Sequence, residues 1–327
     1  MDIEWDCIVV GGGAAGLSAA LVLGRARRRI LVVDDGKQSN LAAHGIGGLL
    51  GHDGRPPAQL YEAGRAELAA YPSVQVRRGT VASGTPDDGK RGGGFVLGLA
   101  DGGRERTRHV LLATGMDYRQ PAISGLDALW GRSAFHCPFC HGWEARGQPL
   151  AVLAEGERAM HMALMLRGWT DDVVVLTNGP AGLDTAQRGQ LAAANVTADE
   201  RRIAEFISED GELAAVRFVD GSRLARRGVL VAATLHQRSD LAAQLGVAAA
   251  PPGPVAVDAV EIDPFHRTSV PGVFAAGDLS PQMPQVAAAI AAGSLAAAAV
   301  VQSLLADDVG LPVPPWPTQK EDANAHA

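Results

Sequence analysis

The sequence CIVVGGGAAGLSAALVLG, residues 7–24, decides the fold. Its first four residues predict a short buried strand, and its last eight predict a helix. Between them, Gly11, Gly13 and Gly16 fit the G-x-G-x-x-G spacing, in which glycines allow a tight turn, close approach to phosphates and close helix packing. A second strand, Ile30–Val33, ends at Asp34, whose carboxylate can accept a ribose hydroxyl. The stretch therefore predicts a βαβ unit that binds a dinucleotide.

Similar patterns recur further along the chain. Two later apolar strands end at Gly115 and Gly277. A second strand–turn–helix–strand unit lies between Leu150 and Leu176. A proline-rich stretch, Ala248–Pro254, has the composition of a linker and precedes the last of these strands.

This order of segments predicts an α/β fold with two Rossmann-like (two-dinucleotide-binding) domains, the second inserted into the first. The first domain is predicted to comprise residues 1–117 and 249–327, and the inserted domain residues 118–248. Two smaller predictions accompany this division. They are an antiparallel layer containing Val74–Val76 and Phe95–Leu97, and a buried alanine-rich helix over Val286–Val301.

The composition disfavours several classes of protein. The 327 residues carry a net charge of −7, with 47% hydrophobic and 20% charged residues, which is typical of a soluble globular protein without a nucleic-acid partner. Three cysteines are too few for a secreted disulfide framework, and the acidic N-terminus does not fit a signal peptide. The run Val286–Val301 is too short and too weakly hydrophobic to span a membrane. We therefore predict a cytoplasmic enzyme without a membrane partner.

Two of the three cysteines stand in SAFHCPFCHGWEARG, residues 133–147. Cys137 and Cys140 form a C-x-x-C pair, flanked by His136 and His141. A zinc site needs four ligands, usually from two separated pairs, and the remaining Cys7 lies inside a predicted strand, so no metal is predicted. A structural disulfide is a second alternative, although cytoplasmic disulfides are usually catalytic. We favour redox thiol exchange, with His141 as first candidate for proton transfer and His136 as second.

Taken together, these motifs resemble low-molecular-weight thioredoxin reductases over nearly the whole chain. The resemblance implies that the first domain binds FAD, that Cys140 lies against the flavin and that Cys137 exchanges with substrate. It further implies that Asp278 holds the flavin ribitol, and that the protein is a homodimer. The residues it assigns to FAD binding are Gly11, Gly13, Ala14, Ala15, Gly16, Asp34, Asn40, Val81, Thr114, Gly115, Gly277, Asp278, Gln285 and Val286.

The inserted domain departs from that family at the place where NADPH would bind. The segment Ala154–Ala159 has lost the first glycine of the loop, and Glu155 and Glu157 stand where a pyrophosphate would lie. The strand that follows ends without the basic cluster or the acid that would bind the ribose or its 2′-phosphate. Arg158 and Arg167 are the cations that could compensate in part. The sequence predicts that nicotinamide binding is absent.

A flavin site beside a C-x-x-C pair, without a nicotinamide site, resembles the FAD-dependent dithiol oxidases that close disulfides in natural products such as gliotoxin, holomycin and romidepsin. Phe135–Gly142 is similar to the C-x-x-C-His-Gly segment of that group, and His141 replaces the acidic residue usual in thioredoxin reductases. The resemblance implies a small-molecule dithiol substrate, O2 as electron acceptor and H2O2 as product. Two alternatives stay open: a thioredoxin-type disulfide reductase fed by NADPH or ferredoxin, and a flavin-bound redox sensor.

Overall fold

A computed structural model describes residues 4–87 and 93–317. In chain order, the first elements are β1 (Glu4–Val10), α1 (Ala14–Arg25), β2 (Ile30–Asp34), α2 (Pro57–Leu68), β3 (Val74–Arg78), β4 (Val81–Pro86), β5 (Phe95–Leu99), β6 (Arg104–Leu112) and β7 (Met116–Arg119). They are followed by α3 (Leu126–Leu129), β8 (Ala134–Phe135), α4 (Pro138–His141), β9 (Leu150–Leu153), α5 (Gly156–Leu166), β10 (Val173–Leu176), α6 (Thr185–Ala193) and β11 (Thr197–Asp199). The last are β12 (Ile203–Glu209), β13 (Glu212–Phe218), β14 (Arg223–Ala225), β15 (Gly228–Val231), β16 (Thr234–Gln237), α7 (Leu241–Gln244), β17 (Val273–Ala275) and α8 (Val286–Val309).

The chain divides into two compact units, which keep the predicted boundary after residue 117, move the other one and assign one further segment to the second unit. The first unit comprises Met1–Ser39, Ala58–Asp117 and Leu235–Ala327, and the second comprises Asn40–Pro57 and Tyr118–Thr234.

The return to the first unit comes at Leu235, earlier than the predicted residue 249. The reason is α7, which packs on β4: the side chains of Leu241 and Leu245 lie against Gly84, whose amide donates to Gln244 Oε1 at 3.0 Å. These contacts join two stretches that are distant in sequence, whereas the proline-rich composition used for the prediction is a local signal.

The segment 40–57 was predicted in the first domain but clusters with the second unit. Its Gly47 lies against the backbone of Cys140, and His44 Nε2 lies 3.4 Å from Glu212 Oε1. The segment is therefore part of the unit that carries the cysteine pair.

A seven-stranded sheet forms the centre of the first unit. Its order is β3-β2-β1-β6-β5-β4, with β17 also paired to β6. The strands β3, β2, β1, β6 and β17 are parallel, and β4, β5 and β6 are antiparallel. Val74–Val76 was wrongly predicted in the antiparallel layer: Val74 pairs with Ile30 in the parallel part, because β3 follows a crossover helix and not a hairpin. Phe95–Leu97 is antiparallel as predicted.

The longest helix, α8, packs along α1 in the core of the first unit. A Cβ atom at Gly293 would overlap the carbonyl oxygen of Ala15, so the two helices meet backbone to backbone. The helix extends beyond the predicted Val301 to Val309, and its C-cap is Gly310, whose φ of 71° is left-handed. Among the described residues, α8 is the one helix long and apolar enough to cross a membrane, although its inner face is buried in this core.

The second unit is built on a five-stranded parallel sheet of order β11-β10-β9-β15-β8. All four residues of its central strand β9 are buried, as expected for a parallel sheet covered on both faces. Leu150 and Val152 face a core shared with α5 and α6, and Ala151 and Leu153 face the antiparallel sheet β12-β13-β14. The predicted α/β architecture with two Rossmann-like domains is confirmed.

The contact between α1 and α8 predicts a destabilising substitution. In Gly293→Ala the added methyl group would overlap the Ala15 carbonyl oxygen, which we expect to cost about 1–3 kcal/mol and to lower the midpoint of thermal unfolding by a few degrees. Gly189→Ala is the matched control, because Gly189 also lies within a helix but has no atom within 4 Å of the added Cβ. Its midpoint should stay the same or rise. An unchanged midpoint for Gly293→Ala would contradict the packing described here.

Candidate functional site

The turn Gly11–Gly16 holds the start of α1 at the edge of the first sheet. Gly11 has a φ of 109°, which side-chain-bearing residues rarely adopt, and its amide donates to the Val33 carbonyl at 2.8 Å. Gly13 is the N-cap of α1, and no side chain caps this helix. The first-turn amides are thus available to a phosphate group. This arrangement fits the dinucleotide-binding role predicted for Gly11, Gly13, Ala14, Ala15 and Gly16.

The Asp34 carboxylate is buried beside this turn, with the residue 4% exposed. It accepts hydrogen bonds from the Gly12 amide at 3.3 Å, the Gly36 amide at 2.9 Å and Gln38 Nε2 at 3.0 Å. Gln38 Nε2 also donates to the Gly12 carbonyl at 3.2 Å. These donors hold a carboxylate where a dinucleotide ribose is expected. Gln38 was not among the predicted site residues, because a glutamine in a loop belongs to no motif.

Gly277, from the later motif that was predicted to bind the flavin, contacts the N-terminal end of α1. Gly277 has a φ of 83°, and a Cβ atom there would lie 2.9 Å from the Cβ of Ala15. Asp278 follows directly. Further on, Gln285 is the N-cap of α8, which begins at Val286 and has no side-chain cap. The structure therefore brings Gly277 to the first turn of α1, although the two are far apart in sequence.

The remaining residues that were predicted to bind FAD lie on other elements of the chain. Thr114 and Gly115 are half-buried after β6, the neighbour of β1 and β17, and Val81 is the buried first residue of β4. Asn40 opens the segment that clusters with the second unit, so the structure does not group it with the others. The uncapped helix end, the buried carboxylate after β2 and the close glycine packing together fit a dinucleotide such as FAD.

The cysteine pair lies on the single-turn helix α4. Cys137 is its N-cap and Pro138 its first residue, and the two thiols are not joined in this structure. The pKa of the Cys137 thiol is lowered, first by a hydrogen bond from the Cys140 thiol and also by the backbone amides of Cys140 and Phe139, against the opposing effect of burial. Local geometry therefore favours the Cys137 thiolate.

Access differs between the two sulfur-bearing residues. Cys137 is only 7% exposed, whereas Cys140 is half-buried. The sulfur with the stabilised thiolate is thus not the more accessible one, and the assignment of Cys137 to exchange stays a prediction. The third cysteine, Cys7, is buried in β1, and burial raises the pKa of its thiol far above the usual range. Among the described residues, no group of His, Cys, Asp and Glu is arranged to hold a metal.

His141 is held in one tautomer. Its Nε2 lies 3.3 Å from the Gly131 carbonyl oxygen, which can only accept, so Nε2 carries the proton. Nδ1 is buried and has no hydrogen-bond partner among the described residues. Burial lowers the pKa of His141 despite the opposing carbonyls of Gly131 and Cys137. At neutral pH the ring is therefore a neutral base with a lone pair on Nδ1.

His136 lies in an aromatic environment. Its ring centroid is 4.5 Å from that of Tyr118 and 5.9 Å from that of Trp130. Burial, and then the nearby His141 and Arg158, lower the pKa of His136 to about 4. The second candidate for proton transfer thus stays neutral throughout the physiological range, and its contacts are those of a packed ring.

Large aromatic side chains are exposed within and just after α4, the helix that carries the cysteine pair. Phe139, between the two cysteines, is 55% exposed, and Trp143 is 66% exposed. Phe139 packs edge-on against Trp169 at a centroid distance of 5.5 Å, and the Arg146 guanidinium lies 3.9 Å from the Trp143 ring centroid. Large exposed apolar side chains in one place are typical of a binding surface. The sequence alone does not indicate Phe139 or Trp169 as site residues, because the exposure of a ring is decided by tertiary packing.

The start of α5 is the counterpart of the dinucleotide turn in the second unit. Glu155 is its N-cap, and the amide of Gly156 donates to the Ala181 carbonyl at 2.8 Å. Ala181 is 1% exposed and packs in a core with Ala154 and Ala159. One amide at the start of α5 is therefore bonded to the chain itself, although the helix has no side-chain cap.

The charged residues around α5 also disfavour the binding of a pyrophosphate. Glu155 and Glu157 are both exposed at the helix start. Arg158 donates to the Ala233 carbonyl at 2.6 Å, and Arg167 pairs with Asp171 at 2.9 Å. Both arginines that could have compensated the two carboxylates thus have partners within the second unit.

Known proteins resemble this chain over most of its length. Residues 5–293 match the family described as pyridine nucleotide-disulphide oxidoreductase. The thioredoxin reductase tcpT of Claviceps purpurea is 34% identical over 316 residues, covering 92% of this chain and 95% of that protein. The crystal structure of HlmI has a TM-score of 0.87 at 36% identity over 94% of each chain. A putative thioredoxin reductase TrxB from Bacillus anthracis has a TM-score of 0.87 at 33% identity, covering 93% of this chain and 99% of that one.

The low pKa of His136 predicts a pH-dependent loss of stability. Between the ordinary value of 6.5 and about 4, the unfolded chain binds a proton that the folded chain does not, so stability falls as the pH falls. This residue should contribute a loss of about 2 kcal/mol between pH 7 and pH 5. Denaturant unfolding of wild type and His136→Phe at both pH values measures it, since contributions from other histidines are common to both proteins. Equal losses in the two proteins would contradict the burial of a neutral His136.

Proposed function

This chain belongs to the pyridine nucleotide-disulphide oxidoreductase family and is a thioredoxin-reductase-like, FAD-dependent enzyme, and from that premise we propose that it is a dithiol oxidase. In the proposed reaction, a small-molecule dithiol becomes a disulfide, and O2 takes up two electrons and two protons to give H2O2. The observation that carries the proposal is the start of α5, where the Gly156 amide is bonded to the Ala181 carbonyl.

The local environment of α5 supports a dithiol, and not NADPH, as the electron source. A helix N-terminus binds a pyrophosphate through free amides and an absence of negative charge. Here the chain's own carbonyl takes one amide, and the exposed Glu155 and Glu157 add two carboxylates. If NADPH does not supply the electrons, they come from the thiols that exchange with the cysteine pair.

Exchange begins from the oxidised pair. A substrate thiolate attacks the Cys137 sulfur, and the bond to Cys140 breaks, leaving the Cys140 sulfur as a thiolate. The second substrate thiolate then attacks the substrate sulfur of this mixed disulfide and displaces the Cys137 thiolate. The Phe139 and Cys140 amides that stabilise this thiolate make it a good leaving group. Bound FAD supplies the two-electron acceptor for the reduced pair and the donor to O2.

The exchange requires a base, and His141 is suited to that role. Each substrate thiol must lose its proton before it attacks. The ring of His141 is neutral at pH 7, and its proton is held on Nε2 by the Gly131 carbonyl, so Nδ1 can accept one. No such role is proposed for His136, because its contacts are with aromatic rings.

The exposed rings of Phe139 and Trp143 support a substrate with an apolar body. Phe139 and Trp143 offer flat apolar surface next to the reactive sulfurs, and Arg146 adds a positive charge over one ring. A dithiol with an apolar body can pack on these rings during exchange. Homodimer formation and a cytoplasmic location remain further predictions from the family resemblance.

A thioredoxin-type disulfide reductase is the second candidate. The names of the similar proteins favour it, because tcpT and TrxB are both described as thioredoxin reductases. In that function electrons would run in the opposite direction, from NADPH or ferredoxin through the cysteine pair to a protein disulfide.

The two functions predict opposite results when the enzyme is mixed with reductants without oxygen. We expect a dithiol such as dithiothreitol to bleach the flavin absorbance rapidly, and air then to restore it with one H2O2 formed per disulfide. NADPH in excess should leave the absorbance unchanged on the same timescale. Rapid bleaching by NADPH would exclude the oxidase proposal and favour the reductase.

Serine variants test the roles of the two cysteines. Cys137→Ser and Cys140→Ser should both keep FAD and lose dithiol oxidation, because each lacks the disulfide. In Cys140→Ser the serine hydroxyl and the backbone amides can still donate to the Cys137 sulfur. With 5,5′-dithiobis(2-nitrobenzoate) at pH 7, this variant should form a mixed disulfide at Cys137 about threefold to tenfold faster than Cys137→Ser forms one at Cys140. The coloured thiolate released measures both rates. Faster reaction at Cys140 would reverse the two roles and would follow exposure instead of thiolate stability.

A further inference from the structure

The segment 40–57, called here the 40–57 loop, has an ordered structure of its own. The Ile46 amide donates to the Arg55 carbonyl at 2.9 Å, and the Gly54 amide donates to the Ile46 carbonyl at 2.8 Å. Ile46 and Leu49 are buried, at 5% and 8% exposure. These bonds and buried side chains close the loop on itself and hold it in one conformation.

The 40–57 loop contacts the second unit at the backbone of the proposed redox site. A Cβ atom at Gly47 would lie 2.5 Å from the carbonyl oxygen of Cys140 and 3.3 Å from its Cα. A Cβ atom at Gly131 would lie 2.9 Å from the methyl group of Ala42 in the loop. Gly131 is the residue whose carbonyl holds the His141 ring. The loop thus lies against the backbone of the second cysteine and against the residue that orients the histidine.

We propose that the 40–57 loop positions the cysteine pair, and that Gly47 is the positioning residue because only a residue without a side chain can lie this close to the Cys140 carbonyl. The proposal rests on the proposed function only in taking Cys137 and Cys140 as the redox pair. It does not depend on the electron acceptor or on the direction of electron flow.

A consequence follows for the reactivity of Cys137. The single turn of α4 directs the Cys140 thiol and the amides of Phe139 and Cys140 at the Cys137 sulfur. A methyl group on Gly47 must displace either the loop or the Cys140 backbone by several tenths of an ångström. In the second case the hydrogen bonds lengthen, and the Cys137 thiolate loses stabilisation.

The test is alkylation of the reduced FAD-containing enzyme by iodoacetamide, with Cys137 modification followed by mass spectrometry from pH 5 to pH 9. Gly47→Ala should slow alkylation of Cys137 at pH 7 by about threefold to tenfold and move the pH profile to higher pH. Gly51→Ala is the matched control: it lies in the same loop, has a φ of 80° and has no atom within 4 Å of the added Cβ. Its backbone strain is increased without a new contact, so its rate and profile should equal those of wild type.

Two results would overturn the proposal: wild-type alkylation in a folded Gly47→Ala protein, or an equal loss in Gly51→Ala. The assay uses neither substrate nor O2, so its outcome is independent of whether the enzyme proves to be an oxidase. If Gly47→Ala does not fold, His44→Ala provides the second measurement, because it removes the exposed contact between the loop and Glu212. Amide hydrogen exchange over residues 137–142 should then be at least about threefold faster than in wild type. Unchanged exchange would also overturn the proposal.

Discussion

The first turn of α1 lies against backbone from three separate parts of the chain, and the packing of the first unit depends on this close approach. Gly16 lies on the carbonyl of Gly11, Gly277 lies on the methyl group of Ala15, and Gly293 lies on the carbonyl of Ala15. A side chain at any of these glycines would push the helix away from the strand ends, where its uncapped amides are needed. The same packing that buries α8 therefore also places the helix end that is predicted to bind phosphate.

Sequence patterns predicted the parts of this arrangement that are local. The turn Gly11–Gly16, the strands on either side and the carboxylate of Asp34 form one continuous signal, and the structure contains each of them. The pairing direction of Val74–Val76 was not predictable, because an alternating strand has the same pattern in a parallel and an antiparallel sheet. Gly293 was hidden in an alanine-rich run, where a glycine required for a close contact has no local signal that distinguishes it from a neighbour.

In the candidate dithiol site, too, only the features that arise from neighbouring residues could be predicted from the sequence. Cys137, Cys140 and His141 stand within five residues, so spacing alone indicated a redox pair with a base. The hydrogen bonds at the Cys137 sulfur also come from this short segment. The low pKa of His136 comes from tertiary packing, and so does the Gly131 carbonyl that sets the His141 tautomer. The contact of Gly47 with Cys140 joins residues more than ninety positions apart, which no local pattern can predict.

The chain departs from thioredoxin reductases at His141 and at the start of α5, and both departures concern the source of electrons and protons. At the start of α5, the carboxylates of Glu155 and Glu157 are predicted to repel a pyrophosphate. A second obstacle to pyrophosphate binding is that the Gly156 amide already donates to the Ala181 carbonyl. An enzyme that takes its electrons from a dithiol receives two protons with them, and both thiols must ionise to react. The ordinary pKa of an imidazole lies closer to neutral pH than that of a carboxylate, so a histidine suits this chemistry better than the acid it replaces. In the proposed oxidase, His141 and the start of α5 therefore have related roles. The start of α5 disfavours NADPH as the electron source, and His141 accepts the protons that arrive with the electrons of the dithiol.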